Sequence, residues 1–437
     1  MRFVGLAKAL GLVVAMVAAS PAAAAEQAQT SGGLDGWTMK GTVLLSRHGM
    51  RGPTKAIRCE GSDPSTCLDA IVQTHWPDLN VVAGHLTPQG YDRAVTMGGF
   101  YRSLYAHAGL LPERGCPDPK SVEFVSDGVE RTVMTAGAVM DGMFPGCDLK
   151  ALAVHPKLYE GPSCGYDQKV AAAATLALVG GSWKTVIEGE LAGPLAAMSK
   201  VLGPFTADGC KAHGATAPCS LATLPVSETD PGAVSVASQP AEQFIMQYGA
   251  GLSGDEVAWG RLPEATGKPL PEALTFVNAI HALSDRAGHM PRYQAAKQGS
   301  AVLYPVLESL TEVAEGHGPA FKFFSSHDNY ILNVGGLLGL KWQLDSYQPY
   351  QIPPGGAVAF EVWQPPEGEL AIRIVYYAQT IEQLHDNTAL SVAQPPASTV
   401  MPVAGCSVYA NGACPWSTFR KIATGAIDMA CVDPKRN

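Results

Sequence analysis

Residues 40–54 read KGTVLLSRHGMRGPT. Lys40 to Ser46 reads as a buried strand, with β-branched and apolar residues, leading into a polar loop that contains glycine and proline. Arg47, His48 and Arg51 fall within five positions there, although only 16% of the chain is charged. A cationic cluster is thus placed at the carboxyl end of a strand. In open α/β sheets that is where ligands bind.

A strand-then-helix pattern recurs after this stretch. HLTPQGYDRAVTMGGFYRSLYAHAG (85–109) predicts a helix with Thr87 as its cap and Pro88 at its first position. SVEFVSD (121–127) predicts a second strand, and GVERTVMTAGAVMDGMF (128–144) a helix after it. From about Tyr166 to Pro319 the chain is alanine-rich and helix-permissive, with Gly/Pro/Thr-rich connections. AFKFFSSHD (320–328) then returns to a strand entering a polar turn, and AVAFEVWQ and ELAIRIVYYAQ form a hairpin pair. The expected fold class is α/β: a sheet domain built from 26–165 and 320–437, with 166–319 as a smaller, mostly helical inserted domain. No internal repeat or heptad run interrupts this order.

Arg2 and Lys8 precede the apolar run Ala9–Ala19 and the small-residue stretch Pro21–Ala25, so residues 1–25 read as a secretory signal peptide. Removing it leaves 412 residues, more than one typical domain. No later apolar run reaches the roughly 18 residues of a membrane span. The expected location is periplasmic or secreted. The ten cysteines include no C-x-x-C pair, and in an exported chain they read as disulfides. Spacing alone suggests local clips at Cys59/Cys67, Cys210/Cys219 and Cys406/Cys414. A net charge of −9 argues against a nucleic-acid partner, yet a local arginine cluster still makes a positive pocket for a small anion.

Three strand ends carry polar groups: Arg47–Arg51, Glu130-Arg131 and His327-Asp328. Brought together they suit phosphoryl transfer. Arginine forks pair with phosphate oxygens and stabilise the transferring group. Surrounding positive charge favours neutral imidazole, which is a nucleophile, and Asp328 is placed to protonate a departing alkoxide. Because that acid must hold a proton, an acidic optimum is expected.

RHGMRGPT matches the R-H-G-x-R-x-P signature of the histidine acid phosphatases, and SHDN resembles that family's H-D motif. LTPQG, SDGVERT, VAWGRL, PPGGAVAFEVW and AGCSVYANGAC also resemble, in order, segments of bacterial periplasmic phytases and glucose-1-phosphatases. The resemblance implies a phosphoglycerate-mutase-like sheet domain and a phosphohistidine mechanism without metal or other cofactor. It makes His48 the nucleophile and Asp328 the acid, with Arg47, Arg51, Arg131 and His327 holding the phosphate. It further implies bridges Cys116–Cys147, Cys164–Cys431, Cys210–Cys219 and Cys406–Cys414, leaving Cys59 and Cys67 as an additional pair. Thr54 is a candidate phosphate contact, Lys55 a contact for further phosphates, and Asp127 matches an acidic position near the family's substrate pocket.

Two departures bear on substrate choice. Asn329-Tyr330 follows the acid where bacterial relatives usually read Thr-Asn or Ser-Asn, and Val129 replaces a second acidic residue. The expected activity is hydrolysis of a small phosphomonoester, by a phytase or broad-specificity acid phosphatase. QYGAGLSGDEVAWG (247–260) looks closer to the glucose-1-phosphatase branch, which is the alternative; a non-catalytic periplasmic phosphate-ester binding protein is an alternative of another class. Gly161-Pro-Ser-Cys-Gly165 fits the G-x-S-x-G pattern of serine hydrolases, but the flanking sequence lacks the strand and helix that motif requires. The other nine histidines show no metal-ligand spacing and read as structural or surface groups.

Overall fold

A computed structural model describes residues 33–55, 57, 67–69, 71–162, 164–406 and 409–433. The expected signal peptide, Ser163 and Cys59 lie outside the described residues. The first strand, β1 (Thr38–Arg47), is followed by helix α1 (Pro88–His107), β2 (Val122–Ser126), α2 (Glu130–Met143) and β3 (Leu152–Val154). Helices α3 (Gln168–Leu178), α4 (Ala192–Leu202), α5 (Ala233–Gly249), α6 (Leu270–His289) and α7 (Arg292–Glu315) come next, with shorter turns between them. The chain then adds β4 (Phe321–Ser326), α8 (Asp328–Leu338), β5 (Ala357–Gln364), β6 (Ala371–Ala378), β7 (Ala397–Val400), β8 (Cys414–Pro415) and α9 (Trp416–Ala426).

The strands form one mixed sheet in the order β3-β2-β4-β1-β5-β6-β7, with β8 on β6. Strands β1 to β4 are mutually parallel, whereas β5, β6 and β7 run antiparallel to their neighbours. Residues 41–47 of β1 are all buried because both faces of the sheet are covered, which explains the uninterrupted apolar run in its sequence. Its side chains alternate: Val43 and Leu45 join the core shared with the helices of 168–338, while Met39 and Leu44 face α1 and α2. The helical segment therefore shares its core with one face of the sheet.

By length and composition alone, the helical stretch 168–188 is apolar enough to cross a membrane. It is split at Gly180-Gly181, both at positive φ, and Ser182 caps a new short helix. Its first part is tied to α6 and α7 through Thr175 Oγ1 donating to the Ala287 carbonyl and Gln294 Nε2 donating to the Ala171 carbonyl. Those contacts are of a helix packed within the fold.

Four disulfides are formed: Cys116–Cys147, Cys164–Cys431, Cys210–Cys219 and Cys406–Cys414. Cys67 is also disulfide-bonded. Cys164–Cys431 ties positions 267 residues apart, joining the start of the helical segment to the chain's end. Around the G-x-S-x-G pattern, neither strand nor helix is formed at 159–162 or 164–167. The nucleophile-elbow geometry is absent there among the described residues.

Candidate active site

The register of the parallel strands sets the site. Arg47 pairs with Ser326, and both Ser46 and Ser126 pair with Ser325, so β1, β2 and β4 end at one level. Arg47 closes β1, Asp127 follows β2, and His327-Asp328 links β4 to the first turn of α8. The loop after β1 docks on the start of α1, where Thr87 accepts from the Gly90 amide as an N-cap and donates to the Met50 carbonyl. A Cβ at Gly90 would lie 2.3 Å from the Met50 carbonyl oxygen. That contact explains the glycine in LTPQG.

His48 is buried beside this loop. Its Nδ1 lies 2.8 Å from the Gly49 carbonyl oxygen, which can only accept; Nδ1 therefore carries the proton and Nε2 keeps its lone pair. Burial first, and then the charges of Arg47, Arg51, His327 and Arg131, hold His48 well below the ordinary histidine range. Desolvation is thus a larger cause than the arginines considered in the sequence reading. The His48 and His327 rings meet edge to face, with centroids 5.4 Å apart.

Two groups of charges flank His48. On one side, Asp127 accepts from His327 Nε2 at 2.8 Å and from Thr132 Oγ1, while Arg131 Nη2 lies 3.3 Å from His327 Nδ1. Burial alone would raise Asp127, but these hydrogen bonds outweigh it and hold the carboxyl below its usual range. On the other side, Arg47 pairs with Glu242 and, at 2.8 Å, with Asp328; Arg51 pairs with Glu242 at 3.0 Å. Asp328 is pushed up by burial and pulled down more strongly by Arg47, Arg51 and His281, which hold its carboxyl below the usual range.

Glu242 was not singled out by the sequence reading. It sits on α5 between the buried Ala241 and Phe244, and the signal was a carboxylate on a stripe of buried residues, Val234, Ala237, Ser238 and Ile245. His281, read from the sequence as a structural or surface group, also lies at the site. From α6 its Nε2 faces Asp285 at 3.2 Å and Glu242 at 3.8 Å. Glu242, His281 and Asp328 are close enough to suggest a metal site among the described residues. Both carboxylates, however, are committed to Arg47 and Arg51, which a cation would have to approach; the donor set fits an ion-pair network and does not fit a metal.

At the rim, Thr54 and Lys55 are exposed. Thr54 receives a 3.5 Å hydrogen bond from Gln239, and Lys55 lies near enough to His213 to add to the effect of burial in lowering that histidine. Neither belongs to the buried cluster. Tyr330 sets its ring edge-on to His327, with centroids 5.8 Å apart, and against Tyr159. Val129 is exposed at the N-cap of α2.

Residues 38–178 and 281–377 match the family model of the histidine phosphatase superfamily (branch 2). The chain belongs to this family. The phytase AppA of Escherichia coli (strain K12) is 29% identical, over 90% of this chain and 93% of that protein. A glucose-1-phosphatase of Providencia rettgeri is 25% identical, over 89% and 91%. Among solved structures, a Hafnia alvei phytase in complex with myo-inositol hexakis sulphate superposes with a TM-score of 0.75 at 28% identity, covering 91% of this chain and 99% of that one. The match spans the sheet and the helical segment alike.

Proposed function

We propose that this histidine phosphatase hydrolyses small phosphomonoesters through a phosphohistidine, as a phytase or broad-specificity acid phosphatase. The observation that carries the reading is the state of His48: buried, neutral, with Nδ1 committed to the Gly49 carbonyl and Nε2 available among three arginines. Arg47, Arg51, Arg131 and His327 hold the nonbridging phosphate oxygens. Nε2 of His48 attacks phosphorus as the ester P–O bond breaks, and Asp328 gives its proton to the departing oxygen. Water then attacks the phosphohistidine, Asp328 takes a proton from it, the N–P bond breaks, and inorganic phosphate leaves. The arginines supply the positive charge, so the scheme calls on no metal or other cofactor.

Asp127 fixes His327, and Glu242 from the helical segment braces Arg47 and Arg51. We therefore assign 26–165 and 320–437 to the catalytic domain and 166–319 to an inserted domain forming one pocket wall. Lys55 and Thr54 at the rim favour a substrate with further phosphates, and phytases are among the relatives. The disulfides accord with an exported, periplasmic enzyme.

The test is phosphate release from phytate, glucose 1-phosphate and p-nitrophenyl phosphate at about pH 4.5, where a carboxylic acid can hold its proton. Wild type should turn over, His48→Ala should not, and denaturing quench should trap an acid-labile, base-stable phosphoenzyme in the wild type alone. Normal turnover by His48→Ala would refute the mechanism. A folded wild type that binds phosphate esters but releases none would favour the binding-protein alternative.

A further inference from the structure

His281 and Asp285 lie one turn apart on α6 and face the acid side of the pocket. The His281 Nδ1 is 3.0 Å from Ser238 Oγ on α5, which can accept from it. Its Nε2 faces the carboxylates of Asp285 at 3.2 Å and Glu242 at 3.8 Å. Ser238 Oγ can thus accept from one ring nitrogen while the two carboxylates face the other. Potential ligand atoms of His281, Glu242 and Asp328 all lie within 4.8 Å of one another. The charged groups around the histidine are Glu242 from α5, Asp285 on its own helix, Asp328 from α8, and Arg47 and Arg51 from β1 and its loop; His289 adds its field at Asp285.

This arrangement mirrors the opposite wall, where Asp127 backs His327. There the proposed function sets the histidine against the phosphate. Here the histidine sits behind the acid, with Nε2 facing Asp285 and Glu242. We propose that the His281–Asp285 pair is a positioning element for Asp328 that sets the upper pH limit of the proton-donating step. The inference rests on the phosphatase reading above. A positive charge beside Asp328 stabilises its carboxylate, so Asp328 surrenders its proton at lower pH with His281 charged than without it. Two unit charges about 5 Å apart, at an effective dielectric of about 20, shift such a limit by about two pH units.

The experiment compares kcat against pH for wild type, His281→Gln and His281→Lys, with His48→Ala as the blank. Glutamine keeps a polar side chain without the charge, and lysine restores a charge without the ring. The alkaline limb should move up by about two pH units in His281→Gln and return toward the wild-type position in His281→Lys. Superimposable limbs in all three active proteins would overturn the inference and leave the phosphatase reading standing. Equal loss of kcat at every pH in both variants would also overturn it, by assigning His281 a packing role. A wild type as inactive as the His48→Ala blank would remove the phosphatase reading and this inference together.

Discussion

Glu242→Gln tests the electrostatic design of the pocket, because this buried carboxylate pairs with both Arg47 and Arg51. Burial pushes Glu242 up, but Arg51, Arg47 and His281 pull it down further, from an ordinary 4.5 to about 2. A depression of that size corresponds to roughly 3 kcal/mol of stability, in the range expected when one partner is removed from a buried ion pair. Because the folded value is the lower one, this contribution is fully present above pH 4.5 and is lost as pH falls toward 2. Urea unfolding at pH 7, followed by tryptophan fluorescence with the disulfides intact, should show the variant about 3 kcal/mol less stable. The gap should narrow steadily below pH 4. Orthophosphate should stabilise the variant more than the wild type, since its arginines have lost a competing carboxylate. Equal stability at pH 7, or a gap unchanged between pH 7 and pH 3, would refute the reasoning.

Two further outcomes follow from named contacts. Asp328→Asn should slow glucose 1-phosphate or phytate by about 100-fold or more while affecting p-nitrophenyl phosphate far less, because a good leaving group does not need the acid; equal loss across leaving groups, read as kcat, would remove the proton-donor assignment. Replacing Cys164 and Cys431 together with serine frees a loop of 267 residues and should cost about 4 kcal/mol in urea unfolding, and an unchanged midpoint would show that the segment is held by packing alone.

The parts of the site carried by strand ends were legible because they are local. An apolar run ending in a polar loop announces a buried parallel strand, and its C-terminal residue is placed by the pleat. Hence Arg47, His48, Arg51, Arg131, His327 and Asp328 could be expected at neighbouring strand ends, whereas Asp127 was singled out only by the family resemblance. Glu242 and His281 were not legible in that way, since each is brought over the pocket by a helix whose position depends on long-range packing. Pro240 within α5 also interrupts the helical pattern around Glu242. On α6 a signal did exist: Asn278, His281 and Asp285 are spaced three and four residues apart along a helix whose buried stripe includes Leu274 and Val277. Polar groups recurring on a buried stripe mark a site, but they do not say which strand ends they will face.

Before substrate arrives, the pocket wall around Asp328 sets Arg47 and Arg51 against Glu242 and Asp328, with His281 and Asp285 paired behind them. In that state Arg47 holds Asp328 as an anion, which is the wrong state for a proton donor. A bound phosphate changes the balance by claiming the arginine forks and adding negative charge beside Asp328. Both effects raise the proton affinity of its carboxyl group, because the opposite charge is diverted and a like charge is brought near. In the proposed mechanism the substrate therefore prepares the acid that protonates its own leaving group. On the same proposal, after transfer to His48 the phosphoryl group moves away from the departed oxygen, and the Asp328 carboxylate is left free to take a proton from water. One residue can serve as acid and then as base because the phosphate, through Arg47, changes its charge environment between the two steps.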